Sequence, residues 1–455
     1  MKNYLILLFL FVIGNGTAQN IHIPDTNFKA ALVGDSIINT NGDGEIQTTE
    51  ASFFSGGINV SNKMISDLTG IEEFTRITFL DCSYNDLTSL NVTANTNITS
   101  LFCNNNYLTS LNVTANTALA QLFCYVNQLT GLYLPSGTNL TDLRCSVNQL
   151  TSLDLTADPA VTYLDCYSNQ LTSLNLTSNT ALTYLNCYNN QLNSLNLLAN
   201  TSLSQLYCPY NQLTDLNLSN NTALTLLYCN NNQLISLDVS PNTSLERLDC
   251  YNNYLMNLNL PAGTSLFTLN CYSNELTTLN FSASTGLAYL SCSLNQLTSI
   301  DLSSNTALVS FGCTNNLLTS LNIKNGHNTS IANFAVFNNP FLRCIEVDDS
   351  AYSNTSSHWF KDAFAVYNTN CSTVGIESNL SSSFQVYPNP FQNQIKISNA
   401  EKGEAILYDI AGKEILRQAI FDEQAELNTE ILSSGFYMLH YSDGKTTANF
   451  KMSKP

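Results

Sequence analysis

Twelve thiols recur in this chain at a single interval. Cysteines stand at 82, 103, 124, 145, 166, 187, 208, 229, 250, 271, 292 and 313, each step being 21 residues. A ladder of thiols invites two kinds of chemistry, soft-metal binding and disulfide exchange. Neither suits the spacing. Cysteines repeating on neighbouring parallel strands lie side by side with parallel Cα–Cβ vectors, which is poor geometry for a disulfide. No histidine or extra cysteine in the repeat completes a metal site. The role that remains is that of a small buried hydrophobe. The four histidines, His22, His327, His358 and His440, lie off the ladder and make no motif together. Acidic pairs such as Asp165 and Asp249 fall four repeats apart, about 19 Å at strand spacing. A positioned nucleophile, acid or base is therefore missing, and an enzyme is not expected.

A second chemistry lies beside the cysteines. Phe102, Phe123, Tyr125, Tyr163, Tyr167, Tyr184, Tyr188, Tyr207, Tyr228, Tyr251, Tyr272 and Tyr289 alternate with the leucines and cysteines of their repeats. Asp142, Arg144, Asp165, Asn186, Arg247, Asp249 and Asn270 stand between them. Tyrosine with Asn and Asp offers large amphipathic area at low entropic cost, plus hydrogen bonds, which is the chemistry of recognition surfaces. The same column has a plainer use, because tyrosine is a good strand former and stacked rows of it steady a sheet without any ligand.

The elements that must position these residues follow from the repeat. Leu122 and Cys124 are two apart and share one face of a short strand, while Gln121, Phe123 and Tyr125 take the other. A single 21-residue coil cannot bury its own apolar row, so the coils must stack and their strands pair in parallel. Twelve coils at roughly 4.8 Å each give a sheet about 55 Å across. Three residues after every cysteine comes an asparagine, Asn85, Asn106, Asn127 and so on to Asn316. The chain turns there and exposes backbone groups that must be paired inside the stack. A carboxamide can donate to a turn carbonyl and accept from an N–H, repeat after repeat. A second apolar set, such as Leu171, Leu174 and Leu176, lines the opposite wall as another short extended segment, and pairs such as Asn179–Thr180 or Gly137–Thr138 turn the chain back.

The unit L-x-x-L-x-C-x-x-N-x-L-T-x-L-x-L, as in Leu119, Leu122, Cys124, Asn127, Leu129, Leu132 and Leu134, resembles that of leucine-rich repeats, with Cys where a second Leu is more usual. The string from Ile65 to Ile71 resembles internalin-type repeats, and Ile331, Phe334, Val336 and Asn339 repeat the template after a 23-residue step. The resemblance implies a mainly β solenoid over residues 58–343. A cap precedes it at 19–57 and another follows at 344–371. The second cap contains Trp359, and it resembles the closing segment found after such arrays in bacterial surface proteins.

Lys plus Arg number 16 against 34 acids, a net charge of -18, which excludes nucleic acid and anionic membrane surfaces as partners. Only 11% of residues are charged, and Asn, Thr and Ser fill the exposed positions, as suits an extracellular face. Residues 1–18 read as a secretory signal peptide, with Lys2, an apolar run from Tyr4 to Ile13 and small residues to Ala18. No other stretch is long and apolar enough for a transmembrane helix. Residues 372–385 read as a flexible linker. Beyond it, short strands with Gly turns indicate a small β-sandwich at 386–455. Its Tyr387-Pro-Asn-Pro390 opening, Asp409-x-x-Gly412-Lys413 turn and Ser434-Gly-Phe-Tyr437 strand resemble the C-terminal sorting domain of type IX secretion. That resemblance implies engagement of the type IX machinery by this segment. It also implies export from a Gram-negative bacterium, with release or attachment to surface lipopolysaccharide after the domain is removed. In an exported protein, a disulfide between Cys344 and Cys371 is a reasonable staple for the second cap.

In the first cap, Asn39, Asn41 and Asp43, then Gly44, Glu45 and Glu50, resemble a twelve-residue EF-hand loop. The resemblance implies Ca²⁺ bound by side chains at 39, 41, 43 and 50 and the carbonyl at 45, in a structural role. Asn39 departs from the usual Asp and leaves two ligand carboxylates, and a polar turn that binds nothing is the alternative. The expected function is binding of an extracellular protein through the Tyr/Asn-rich face (Phe102, Phe123, Tyr125, Arg144, Tyr163, Asp165, Tyr167, Tyr184, Tyr188, Tyr207, Tyr228, Arg247, Asp249, Tyr251 and Tyr272). Polysaccharide capture by the same face and a ligand-free spacer are the alternatives.

Overall fold

The computed structural model describes residues 19–137, 139–263, 265–371, 385–400, 402–410, 412–443 and 447–455. The expected signal peptide, and all of the expected linker except Gln385, lie outside the described residues. The chain divides into two compact units, Met1–Leu234 and Ile235–Pro455.

The first unit opens with the cap. Helix α1 (Thr26–Val33) begins at Asp25, whose carboxylate accepts from Asn27 N and Phe28 N, and it buries Phe28 and Leu32. Asp25 also accepts from Ser66 N at 2.8 Å and Ser66 Oγ at 3.0 Å, tying the cap to the first coil. A second helix, α2 (Thr48–Phe53), follows the polar loop and is closed by a capping box between Gln47 and Glu50. The strands then come in order: Gly57–Asn59, Phe79–Asp81, Ser100–Phe102, Gln121–Phe123, Asp142–Arg144, Tyr163–Asp165, Tyr184–Asn186, Gln205–Tyr207 and Leu226–Tyr228. Each pairs in parallel with the next, Ile58 against Leu80 and then leucine against leucine. The solenoid thus starts at Gly57, one residue before the expected boundary.

The second unit continues the same pattern with Arg247–Asp249, Thr268–Asn270, Tyr289–Ser291, Ser310–Gly312, Asn333–Ala335 and Trp359–Phe360. Residues 344–371, expected as a cap, are in part a further coil. Cys344–Glu346 pairs with Ser320–Asn322 on one side and Val366–Asn368 on the other, while Trp359–Phe360 extends the main sheet. Cys344 and Cys371 are disulfide-bonded. Trp359 stacks on Phe334 at 4.6 Å and donates to Ile331 O at 3.1 Å, so a flat ring closes the end of the leucine core. The C-terminal region from Gln385 is a sandwich of a three-stranded and a four-stranded antiparallel sheet around Phe391, Ile395, Leu407, Leu439 and Tyr441. Its first strand, Gln385–Tyr387, begins one residue inside the expected linker.

The opposite wall differs from expectation. Leu171, Leu174 and Leu176 are buried, yet their segment forms no strand. Regular pairing on that wall is confined to a few neighbours, Ser110–Asn112 with Gly131–Tyr133 in the first unit, and in the second Ser236–Asp238 with Asn257–Asn259 and the group around Ser320–Asn322. Elsewhere Asn or Asp carboxamides and carboxylates accept from the backbone two residues on, as Asn175 does from Thr177 N and Oγ1. Local Asx turns there replace the ladder between coils.

Two asparagine ladders hold the stack. In the first, Asn190 donates from Nδ2 to Cys166 O of the preceding coil at 3.1 Å and to Cys187 O of its own at 3.2 Å. Its Oδ1 accepts from Leu171 N at 3.0 Å. The second lies at the return turn: Asn200 donates to Leu176 O at 3.1 Å and Asn179 O at 2.8 Å. Asn95, Asn116, Asn179, Asn200 and Asn305 are fully buried members of it, and their Oδ1 atoms have no donor. None of the twelve ladder cysteines forms a disulfide, and all are fully buried. Burial pushes the Cys187 thiol up to about 12, so it carries no thiolate near neutrality.

The residue two after each cysteine is left-handed: Tyr84, Asn105, Val126, Val147, Ser168, Asn189, Tyr210 and Asn231 have φ between +51° and +56°. A β-branched side chain pays most there. Val126 is exposed, so nothing is lost from the core when it is changed. Val126→Asn should stabilise the protein by roughly 1 kcal/mol, read as a raised melting temperature. Asn190→Ala should cost on the order of 2 kcal/mol, because Leu171 N loses its partner while Cys166 O and Cys187 O each keep a second donor, Asn169 Nδ2 and Asn211 Nδ2.

Candidate functional site

Three outward positions flank each buried leucine and cysteine, one before the leucine, one after it, and one after the cysteine. Strand alternation sends all three to the same side of the sheet. In the first unit they bring the expected aromatic residues together as a continuous row. Phe79 meets Phe102 edge-on at 5.3 Å, and Phe102 stacks on Phe123 at 4.4 Å and 5°. The Arg144 guanidinium carries the row across the next coil, 4.4 Å from the Phe123 ring centre and 4.6 Å from that of Tyr163. Tyr163 stacks on Tyr184 at 4.1 Å and 2°, Tyr184 leans on Tyr207 at 5.5 Å, and Tyr207 stacks on Tyr228 at 4.9 Å and 13°. The row moves from the position before the leucine to the one after it between Tyr184 and Tyr207, and the tilt there, 40°, absorbs the step. A second row runs beside it. Tyr125 is half-buried, Tyr167 and Tyr188 lie 6.3 Å apart, and Tyr188 meets Tyr210 edge-on at 5.4 Å.

The charges in this face are arranged around Arg144. It forms a two-pronged pair with Asp142, Nε to Oδ1 at 3.0 Å and Nη2 to Oδ2 at 2.9 Å, which holds the guanidinium flat between the rings. Asp165 sits one coil further on, beside Tyr163. Its Oδ1 is buried with no hydrogen-bond partner. Burial raises its carboxyl from 3.8 to about 6, against the lowering effects of Tyr167 N, Arg144 and Asn186. Burial, with a hydrogen bond that it donates to Tyr163, likewise raises the Tyr184 hydroxyl.

In the second unit Arg247 pairs with Asp249 at 2.9 Å, and Asp249 accepts from Asn270 Nδ2 at 2.6 Å. Tyr251 stacks on Tyr272 at 4.4 Å and 8°. Sequence reasoning missed Phe79, which begins the row, and Tyr210, which ends the second one. Phe79 stands directly before Leu80, in the same column as Tyr163 and Tyr184, so the repeat period alone could have found it.

In the cap, the loop of Asn39 to Glu50 is internally bonded. Gly42 N donates to Asn39 Oδ1 at 3.0 Å, Asp43 N to Asn41 Oδ1 at 2.9 Å and Glu45 N to Asp43 Oδ1 at 2.9 Å. These Asx turns set three side-chain oxygens along the loop. Glu50 accepts from Thr40 N and Gln47 N, and the Glu45 side chain is drawn to Lys29 at 2.6 Å. The donor set is therefore all oxygen with two carboxylates, which fits a hard cation held weakly. Hydrogen bonds to the backbone lower the acidity range of Asp43 and Glu50, so both are ionised at neutral pH.

Residues 385–454 match the family described as secretion system C-terminal sorting domain, which implies export to the cell surface or beyond. Among solved structures, the chain is similar to the functional domain of InlJ from Listeria monocytogenes, itself described as including a cysteine ladder. The identity is 24% and the TM-score 0.60, over 96% of this chain and 100% of that one. It is also similar to the internalin InlF of the same organism, at 18% identity and TM-score 0.54, over 75% of this chain and 96% of that one. These likenesses establish the leucine-rich-repeat fold. No curated protein matches the sequence significantly.

Asp165 yields a signed pH dependence. A carboxyl whose folded pKa stands above its unfolded value favours the native state at low pH, and that advantage is lost as pH rises from about 4 to about 6. Asp165→Asn should therefore raise the melting temperature at pH 7.5 and make no difference below pH 4, as followed by thermal melts across the range.

Proposed function

We propose that this is an exported leucine-rich-repeat binding protein that engages an extracellular protein partner through the aromatic face, in adhesion or a related protein–protein contact. The observation that carries the reading is the stacked row from Phe79 to Tyr228, a rigid strip of large side chains already ordered before any partner arrives. Pre-ordered aromatic side chains spend little entropy on binding, which is why they dominate recognition surfaces. Residues 1–18 direct the chain through the inner membrane and the C-terminal domain through the outer one. Removal of that domain leaves the solenoid released or bound to surface lipopolysaccharide.

The test sets the full chain against an array of extracellular-matrix proteins, cell-envelope proteins and glycans. Beside it runs a variant with Tyr167, Tyr188, Tyr207 and Tyr228 changed to Ser. A protein hit lost in the variant, with the melting temperature held within a few degrees, is the expected result. Binding to nothing, with a variant that melts far below the parent, would leave the rows as a brace for the sheet and the solenoid as a spacer.

We also propose that the cap loop holds a structural Ca²⁺ through Asn39, Asn41, Asp43, Glu50 and the Glu45 carbonyl. Bound there, the ion would neutralise Asp43 and Glu50 and stiffen the link between α1 and α2. Calorimetric titration should show heat at millimolar calcium and a higher melting temperature, both lost in Glu50→Gln. A silent titration would mark the loop as a turn that binds nothing.

A further inference from the structure

The way the aromatic row is stacked bears on what it can hold. An aromatic face is the negative part of the ring quadrupole, and it is the face that C–H groups and cations seek, whereas the edge is positive. Along this row the faces are already taken. Phe102 lies between Phe79 and Phe123, and Phe123 between Phe102 and Arg144. Tyr163 lies between Arg144 and Tyr184, and Tyr184 between Tyr163 and Tyr207. What the row turns to solvent is ring edges and phenol hydroxyls. A sugar ring, which stacks face to face, meets no open face among the rings from Phe102 to Tyr184. A peptide backbone does find a complement, because its carbonyl oxygens suit positive edges and its N–H groups suit phenol oxygens.

The charges narrow the partner further. The outward positions of the first unit hold three carboxylates, Asp81, Asp142 and Asp165, against one cation, Arg144. Arg144 is committed to Asp142. The Asp81 carboxylate accepts from Ser83 N at 3.0 Å and Ser83 Oγ at 2.6 Å, and meets no cation in an ion pair among the described residues. Asp165 keeps a buried oxygen without a donor. Between Lys63 and Lys324 the chain has no lysine and three arginines, Arg76, Arg144 and Arg247, of which only Arg144 stands at an outward strand position of the first unit. Asp81 and Asp165 share one column, four strand steps apart through Phe102, Phe123 and Arg144. Four steps at roughly 4.8 Å are about 19 Å, the span of about six residues of extended chain. Six is an even number, so both ends of such a segment point to the same side.

Resting on the reading of this face as a protein-binding site, we infer that its partner presents an extended basic segment lying across the strands. Two lysines or arginines six residues apart would meet Asp81 and Asp165, with the backbone between them over the edges of Phe102, Phe123 and Tyr163.

Fluorescence anisotropy on the full chain tests this with four labelled probes: twelve-residue Ser/Gly/Val peptides carrying lysines at their third and ninth positions, lysines at the third and eighth, or glutamates at the third and ninth, and cellohexaose. The first peptide should bind at least about fivefold tighter than the second, weaken as NaCl rises from about 50 to 300 mM, and lose its preference on Asp81→Asn/Asp165→Asn. The glutamate peptide and the sugar should not bind. Equal binding of all peptides, no binding of the first, indifference to the double variant, or capture of cellohexaose would each overturn the inference. If spacing and charge prove irrelevant while the tyrosine-to-serine variant still loses a protein hit, the binding face stands and only the basic partner falls. If that hit is absent as well, both readings fall.

Discussion

The structure depends on one hydrogen-bonding constraint. A coil of 21 residues must turn sharply after a three-residue strand, and the backbone groups at that turn are buried where water cannot reach them. The asparagine three after each cysteine answers it, with Nδ2 on the carbonyls of its own and the preceding cysteine and Oδ1 on a leucine N–H of the preceding coil, as Asn190 does. Because each carboxamide reaches back one coil, it joins neighbours as well as closing its own turn. The return-turn ladder does half as much at Asn95, Asn116, Asn179, Asn200 and Asn305, whose Nδ2 atoms donate while their Oδ1 atoms accept nothing. The difference shows in the sequence. The first column is Asn in all twelve repeats, whereas the second gives way to Gly137, Asp158, Gly263 and Ser284.

Everything on the outer face follows from coils held at that spacing. Strands about 4.8 Å apart put like positions of successive repeats within stacking distance, so aromatic residues in one column must either stack or splay. Here they stack, and Arg144 takes a ring's place where a repeat offers none. The close fit has a cost at Asp165, whose half-buried carboxylate destabilises the fold near neutrality.

Much of this was legible in the linear chain. The 21-residue period, the alternation of Leu122 and Cys124 with Phe123 and Tyr125, and the asparagine column together imply stacked parallel strands, because no other arrangement buries twelve identical apolar rows. The outward aromatic residues could be named for the same reason. The return wall was less legible. Its leucines keep the strand period, but local Asx turns such as Asn175 with Thr177 satisfy the backbone without a ladder. The left-handed position was hidden too, since Tyr84, Val126 and Ser168 have no propensity in common.

By itself, then, the sequence determined the repeat, its register, the buried cysteines and which side chains face outward, since each is a consequence of period and polarity. Only the tertiary structure decided how those outward side chains meet. Stacking faces, the Arg144 bridge and the half-buried Asp165 depend on side-chain rotamers and on residues 21 apart in the chain, and no local pattern specifies them.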